Sequence, residues 1–185
     1  MMSGWPVYSL LLLVAYLFGS FPTGYLAARL LKGIDIRDQG SGSIGATNVL
    51  RTLGKGPAIA VLLIDAAKGA LAIALAHWIY SLSAAGAIAG GLPLPWFAGE
   101  LPLPWLVALV GLAAVFGHSW PIWLNFKGGK SVATSLGILL AMSWQVGLGT
   151  LAVFGVVLAI SRIVSLSSIA GAIAVSALMF LLGQP

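Results

Sequence analysis

The sequence predicts an all-α protein, a polytopic bundle of membrane-spanning helices. Three observations carry that prediction. Only 7% of the 185 residues are charged and 60% are hydrophobic, with a mean hydropathy of +1.07. Soluble domains carry about 25% charged residues and need them to cover their surface. The apolar residues fall into six stretches, 5–31, 57–82, 103–119, 130–143, 145–161 and 164–183, most of them near the ~20 residues that cross a bilayer. If six spans alternate, all nine basic residues lie in or close to the loops of one face.

Each element has its own justification. The start, MMSGWPVYSLLLLVAYLF, lacks a charged n-region, so it predicts a retained first span rather than a cleaved signal peptide. Between the second and third spans, SAAGAIAGGLPLPWFAGELPLPW is rich in Pro and Gly and predicts a loop. Its Trp96 and Trp105 suit the bilayer interface. The fourth and fifth stretches are short and share a turn at Ser143; two tilted spans and a re-entrant pair both fit. Abundant Gly and Ala within the spans predict close helix contacts. The basic residues flank the loops 32–56, 120–130 and 161–165, whereas the opposite loops carry one charge, Glu100. The positive-inside rule makes the basic face cytoplasmic. Both termini of a six-span chain then lie outside. Spans this closely spaced predict one domain over residues 1–185.

Some chemistry is excluded at once. There is no cysteine, hence no disulfide and no thiolate metal site. His77 and His118 are far apart and no HExxH pattern occurs, so no metal site is predicted. Topology accounts for the basic residues, and no nucleic-acid or obligate protein partner is expected.

Two loops on the basic face stand out. GSGSIGATNVLR, Gly40 to Arg51, has no hydrophobic face. Gly40, Gly42 and Gly45 permit positive φ and close backbone approach. Successive N–H groups in such a loop form an anion-binding nest. Ser41, Ser43, Thr47 and Asn48 add donors, and Arg51 supplies a planar fork suited to phosphate. Taken alone, such a loop is more often a flexible polar connector. The second loop, GHSWPIWLNFKGGKS, sets Lys127 and Lys130 around Gly128 and Gly129, just before a helix that begins near Ser131. Lysines, bare backbone and a helix N-terminus favour anions. A nucleotide P-loop is rejected because GxxxxGK[ST] requires glycine where Leu124 stands. Two phosphate-suited loops on one face predict a phosphate site.

Asp65 and Lys68 are three apart on the second helix and form a structural pair within a span. His118 ends a span on the basic face and either donates to substrate or bonds a neighbouring carbonyl. His77 has no assigned role. Ser165, Ser167 and Ser168 open the last helix, where capping is the default; Ser168, one turn inside, is a candidate ligand.

GSGSIGATNVLR and GHSWPIWLNFKGGKSVAT resemble the first two cytoplasmic motifs of the bacterial acyl-phosphate:glycerol-3-phosphate acyltransferases, the PlsY family. LFGSFPTGY, IDAAKG and RIVSLSS match that family's pattern too, so the resemblance runs from about Gly19 to Ser168. It implies transfer of a long acyl chain from acyl phosphate to the 1-hydroxyl of glycerol 3-phosphate, giving lysophosphatidic acid and phosphate. It implies catalytic roles for Ser41, Arg51 and Lys127. It places substrate phosphate on Gly128, Gly129 and Lys130; the chemistry of the residues adds Gly42, Gly45, Thr47, Asn48 and Ser168 as candidate phosphate ligands. No cofactor is implied, because acyl phosphate is already activated. The partners are the two substrates and the lipid bilayer, and the place is the bacterial plasma membrane with the active loops cytoplasmic. Ser43 stands where the family commonly has Asn. The family has seven spans and a third motif after the last, so the resemblance implies that residues 1–185 are C-terminally incomplete. Two rival functions remain at this stage: a transporter of a phosphorylated metabolite, and a structural subunit that holds anionic lipid. The first is disfavoured by the lack of matched mid-membrane charges in two halves; the second predicts that Ser41→Ala is silent.

Overall fold

The computed structural model describes residues 5–84 and 101–183. Those residues form eight α-helices and two short 3-10 turns, with no strand among them. The loop prediction for 85–100, with Trp96 and Glu100, lies outside the described residues.

The first predicted span is broken in two. Helix α1 covers Trp5–Ser20 and α2 covers Thr23–Lys32. Pro22 sits at the break, where it has no N–H to continue the helical ladder. Helix α2 buries Thr23, Gly24 and Ala28 and exposes Arg29, Leu30, Leu31 and Lys32. A short helix α3, Ala46–Leu53, then lies inside what the sequence predicts as loop. It is followed by α4, Lys55–Ala84, and α5, Leu103–Ser119. The chain ends on α6, Val132–Met142, α7, Trp144–Ser161, and α8, Val164–Leu181.

Five stretches among the described residues are long and apolar enough to cross a membrane: Val7–Lys32, Lys55–Leu82, Leu103–Leu124, Trp144–Ser161 and Val164–Leu181. The predicted span at 130–143 is the exception. Helix α6 has 11 residues and rises only about 16 Å, roughly half of a ~30 Å hydrocarbon core. It meets α7 at Ser143, which caps both helices.

The bundle core is made by α1, α4, α5 and α6. Tyr8, Leu11 and Ala15 meet Ile73 and Ala76, Leu106 and Val110, and Ile138. The predicted close contacts are real. A Cβ on Gly19 would strike the Ala114 carbonyl, and one on Gly137 would strike the Ala66 carbonyl. These are backbone-to-backbone approaches, which only the smallest residues allow. Helix α8 packs chiefly on α7, and both turn Val156, Ile160, Ile169, Ile173 and Phe180 outward, which suits lipid.

A second, smaller core sits at the loop end. Ala28 of α2, Ile36, Ile44, Val49 of α3, Ala58 and Val61 of α4, and Leu124 pack together. It draws on both motif loops, so their backbones are held side by side.

Candidate functional site: two loops joined at one end of the bundle

The first loop is organised by one side chain. Asn48 is 1% exposed. Its Nδ2 lies 3.1, 2.9 and 2.8 Å from the carbonyls of Ile36, Gln39 and Ser43, and its Oδ1 accepts from the Ser41 N–H at 3.0 Å. Two N–H bonds serve three acceptors, so one is shared. The amide predicted as a substrate donor is thus committed to the loop itself. Gly40 and Gly42 have the positive φ that the sequence predicts, 56° and 68°. Gly45 does not. It is the N-cap of α3 at φ −75°, and a Cβ there would meet only the Ser43 Oγ, at 3.6 Å. Among the described residues no other atom lies within 4 Å of that Cβ position. Ser41 and Thr47 are exposed, and Arg51 is exposed on the last turn of α3.

The second loop folds back on the end of α5. Gly128 N–H donates to the Ser119 carbonyl at 3.1 Å, and Gly129 N–H to the His118 carbonyl at 3.0 Å. A Cβ on Gly128 would collide with the His118 carbonyl and Pro121; one on Gly129 would enter the His118 ring. These glycines allow the loop to close on His118, and their N–H groups are already satisfied. Asn125, Phe126 and Ser131 have φ of 52°, 61° and 55°. Left-handed non-glycine residues are costly and cluster at functional loops; no sequence pattern foretold them. Ser131 begins α6 as predicted, with its Oγ 2.7 Å from Ser119 Oγ and donating to the Val115 carbonyl at 3.0 Å. Lys127 and Lys130 are exposed. Among the described residues, the side chains of Arg51, Lys127 and Lys130 have no hydrogen-bond or ion-pair partner.

Beneath the second loop lies a buried polar cluster. Lys68 Nζ is 2.8 Å from Asp65 Oδ1, which bears out the structural pair. The same ammonium donates to the Phe21 carbonyl at 3.0 Å and meets His118 Nδ1 at 2.9 Å. An ammonium has only donors, so Nδ1 accepts and the His118 proton is on Nε2, which faces Gly129. The observed partner of His118 Nδ1 is therefore a lysine rather than a carbonyl, and the ring lies against Gly129. Thr134, in the first turn of α6, completes the cluster at 3.4 Å from His118 Nδ1.

Ser168 is on α8, which packs chiefly on α7. Its Oγ donates to the Val164 carbonyl at 2.9 Å, and Ser167 does the same to Ile163 at 2.9 Å. These hydroxyls bond back one turn instead of capping the helix, whose N-cap is Ile163. Among the described residues no group of three or more metal-ligating side chains occurs.

Arg37 is the residue that sequence reasoning missed. Its Nε and Nη2 hold both oxygens of Asp35, the shortest contact being 2.6 Å, and Nη1 donates to the Leu124 carbonyl at 3.0 Å. The hydrogen-bonded fork holds the Asp35 carboxyl below its ordinary range. A depressed carboxylate stabilises the fold above its unfolded pKa and loses that effect only as pH falls through the lower folded value. The pair therefore persists through neutral and mildly acidic conditions.

Fold and site together define a class: a helical integral membrane protein that presents glycine-bent, cation-bearing loops at one end of its bundle. The comparisons resolve the class further. A family model described as "Glycerol-3-phosphate acyltransferase" matches residues 9–185. A glycerol-3-phosphate acyltransferase of Nostoc sp. is 62% identical over 178 residues, covering 94% of this chain and 75% of the relative. One from Acaryochloris marina is 54% identical over 180 residues, covering 95% and 76%. Crystal structures of PlsY, an integral membrane glycerol 3-phosphate acyltransferase, superpose with TM-scores of 0.79 for the glycerol 3-phosphate form and 0.77 for the lysophosphatidic acid form. Their identities are 36% and 35%, and each comparison covers 97% of this chain and 79% of the other. The chain belongs to the glycerol-3-phosphate acyltransferase family typified by PlsY.

Proposed function

We propose that the protein transfers a long acyl chain from acyl phosphate to the 1-hydroxyl of glycerol 3-phosphate. The observation that carries the reading is the joining of the two loops, which puts Arg51, Lys127 and Lys130, unpartnered among the described residues, on one end of the bundle. The hydroxyl oxygen attacks the acyl carbonyl carbon, and the bond from that carbon to the phosphate oxygen breaks. The hydroxyl proton passes to a phosphate oxygen of glycerol 3-phosphate. Lysophosphatidic acid and inorganic phosphate leave. Arg51, Lys127 and Lys130 hold the phosphates and stabilise charge developing on the leaving group. Ser41 orients substrate beside them, and the open N-terminus of α3 at Gly45 receives an anionic oxygen. The acyl chain lies in an apolar groove of about 400 Å³ lined by Val14, Leu17, Phe18 and Phe21, with Lys68 at its wall. The reaction needs no nucleotide or coenzyme A. The test is release of phosphate from acyl phosphate that depends on added glycerol 3-phosphate; its absence in well-folded protein ends the proposal.

A mutation separates phosphate binding from mere topology. Arg51→Lys keeps the charge but loses the planar fork, and turnover is expected to fall about tenfold. Unchanged kinetics would leave Arg51 as a charge that only anchors a helix end.

The protein is further proposed to lie in the bacterial plasma membrane with both loops cytoplasmic, because the basic residues flank that end. Native cysteine is absent, so a single Cys at position 43 reports its side of the membrane. It should resist an impermeant thiol reagent in intact cells and react in inverted vesicles. Labelling in intact cells would reverse the orientation.

A further inference from the structure

The two motif loops come from distant parts of the chain, and Arg37 stands between them. On one side it grips Asp35, whose carboxylate also accepts the Arg37 N–H at 2.9 Å. Four residues on is Ser41. On the other side Nη1 donates to the Leu124 carbonyl, which also accepts the Lys127 N–H at 3.2 Å. Between Leu124 and Lys127 are only Asn125 and Phe126, both in the left-handed region. Such residues hold their conformation only where their surroundings over-determine it. The Tyr25 ring lies 5.4 Å from the guanidinium and supports it. The planar guanidinium holds both carboxylate oxygens and the carbonyl in fixed directions; a lysine ammonium is a compact point donor without that rigid fork.

We propose that Arg37 is a positioning residue that sets the separation of the Ser41 loop and the Lys127 loop. This rests on the acyl-transfer reading for its kinetic consequence but not for its geometry. Each loop keeps its own cations without Arg37, so each still binds a phosphate. What is lost is the placement of one substrate against the other, which is where a small displacement costs most rate.

The test uses two readouts on the same protein. Spin labels go on Gln39→Cys and Trp123→Cys, both exposed positions flanking the tie, and their distance distribution is measured with Arg37, Arg37→Gln and Arg37→Lys. One narrow distribution is expected with Arg37, a broad one with Gln, and an intermediate one with Lys. In unlabelled Arg37→Gln, kcat should fall about 10- to 100-fold while the KM for glycerol 3-phosphate changes less than about threefold. If the Gln variant does not fold, Arg37→Lys carries both comparisons, with a smaller loss of kcat and a measurably wider distribution. An unchanged distribution, or a raised KM with kcat intact, overturns the proposal. Absence of acyl transfer with Arg37 in place overturns the functional reading instead, and the distance distributions then decide the role of Arg37 alone.

Discussion

Asn48→Ala should collapse the Ser41 loop and reduce acyl transfer about 100-fold or more while leaving the helix bundle intact. The side chain satisfies the carbonyls of Ile36, Gln39 and Ser43 and the N–H of Ser41. Truncation leaves the Ser43 carbonyl and the Ser41 N–H without their partner, while the Ile36 and Gln39 carbonyls keep the N–H groups of Gln39 and Gly42; each group left buried costs about 1–3 kcal/mol. Ile36 and Ile44 anchor the ends of this loop in the small core, but between them Gly40 and Gly42 contribute no side chains and Ser41 is exposed. Asn48→Asp is the sharper variant. It keeps the shape and the acceptor for Ser41 but turns a carboxylate toward three carbonyls, so it should be no better than Ala. Hydrogen exchange over residues 36–45 and glycerol 3-phosphate-dependent phosphate release measure the two effects. Native protection with native activity in Asn48→Asp would show that the amide donors are dispensable.

Lys68→Met is expected to destabilise the whole bundle. The ammonium is buried with Asp65, the Phe21 carbonyl and His118. Removing it leaves the Asp65 carboxylate, 1% exposed, without a counter-charge. Breaking a buried pair in this way costs about 3–5 kcal/mol. The double variant Lys68→Met with Asp65→Asn removes both charges and should recover a large part of the loss. Thermal unfolding in one detergent compares the three forms. If Lys68→Met alone melts with the native protein, the cluster is not a structural element. The same variants should disturb the second loop, because His118 loses the donor that fixes its ring beneath Gly129.

These two residues show where sequence reasoning stops. Asn48 is a plausible phosphate donor in a polar loop, and nothing local says that its amide is spent on three carbonyls. Its role emerges only when the chain folds around it. Helix α3 was more accessible. Val49 and Leu53 are one turn apart and Gly54 follows, a short amphipathic helix with a glycine stop. The polar, glycine-rich approach to it hid that pattern. The loop glycines divide in the same way. Gly40 and Gly42 adopt the conformation that glycine is chosen for, whereas Gly128 and Gly129 are required by what lies against them, His118 and Pro121. Contact of that kind between segments is invisible in a linear pattern.

The sequence by itself determined the class of solvent, most of the helices and the chemistry on offer. Hydropathy and charge are properties of composition and local order, so five of the six span positions, the clustering of basic residues and two anion-suited loops follow without tertiary information. The resemblance in the two long motifs carried the family. Tertiary structure alone decided that the first span breaks at Pro22, that α6 is a half-length helix packed on α4, and that His118 answers to Lys68. It alone brought Arg37 to the Leu124 carbonyl across 87 residues. Such pairings depend on which surfaces the folded helices bring within 3 Å of each other, and no periodicity in the chain encodes that distance.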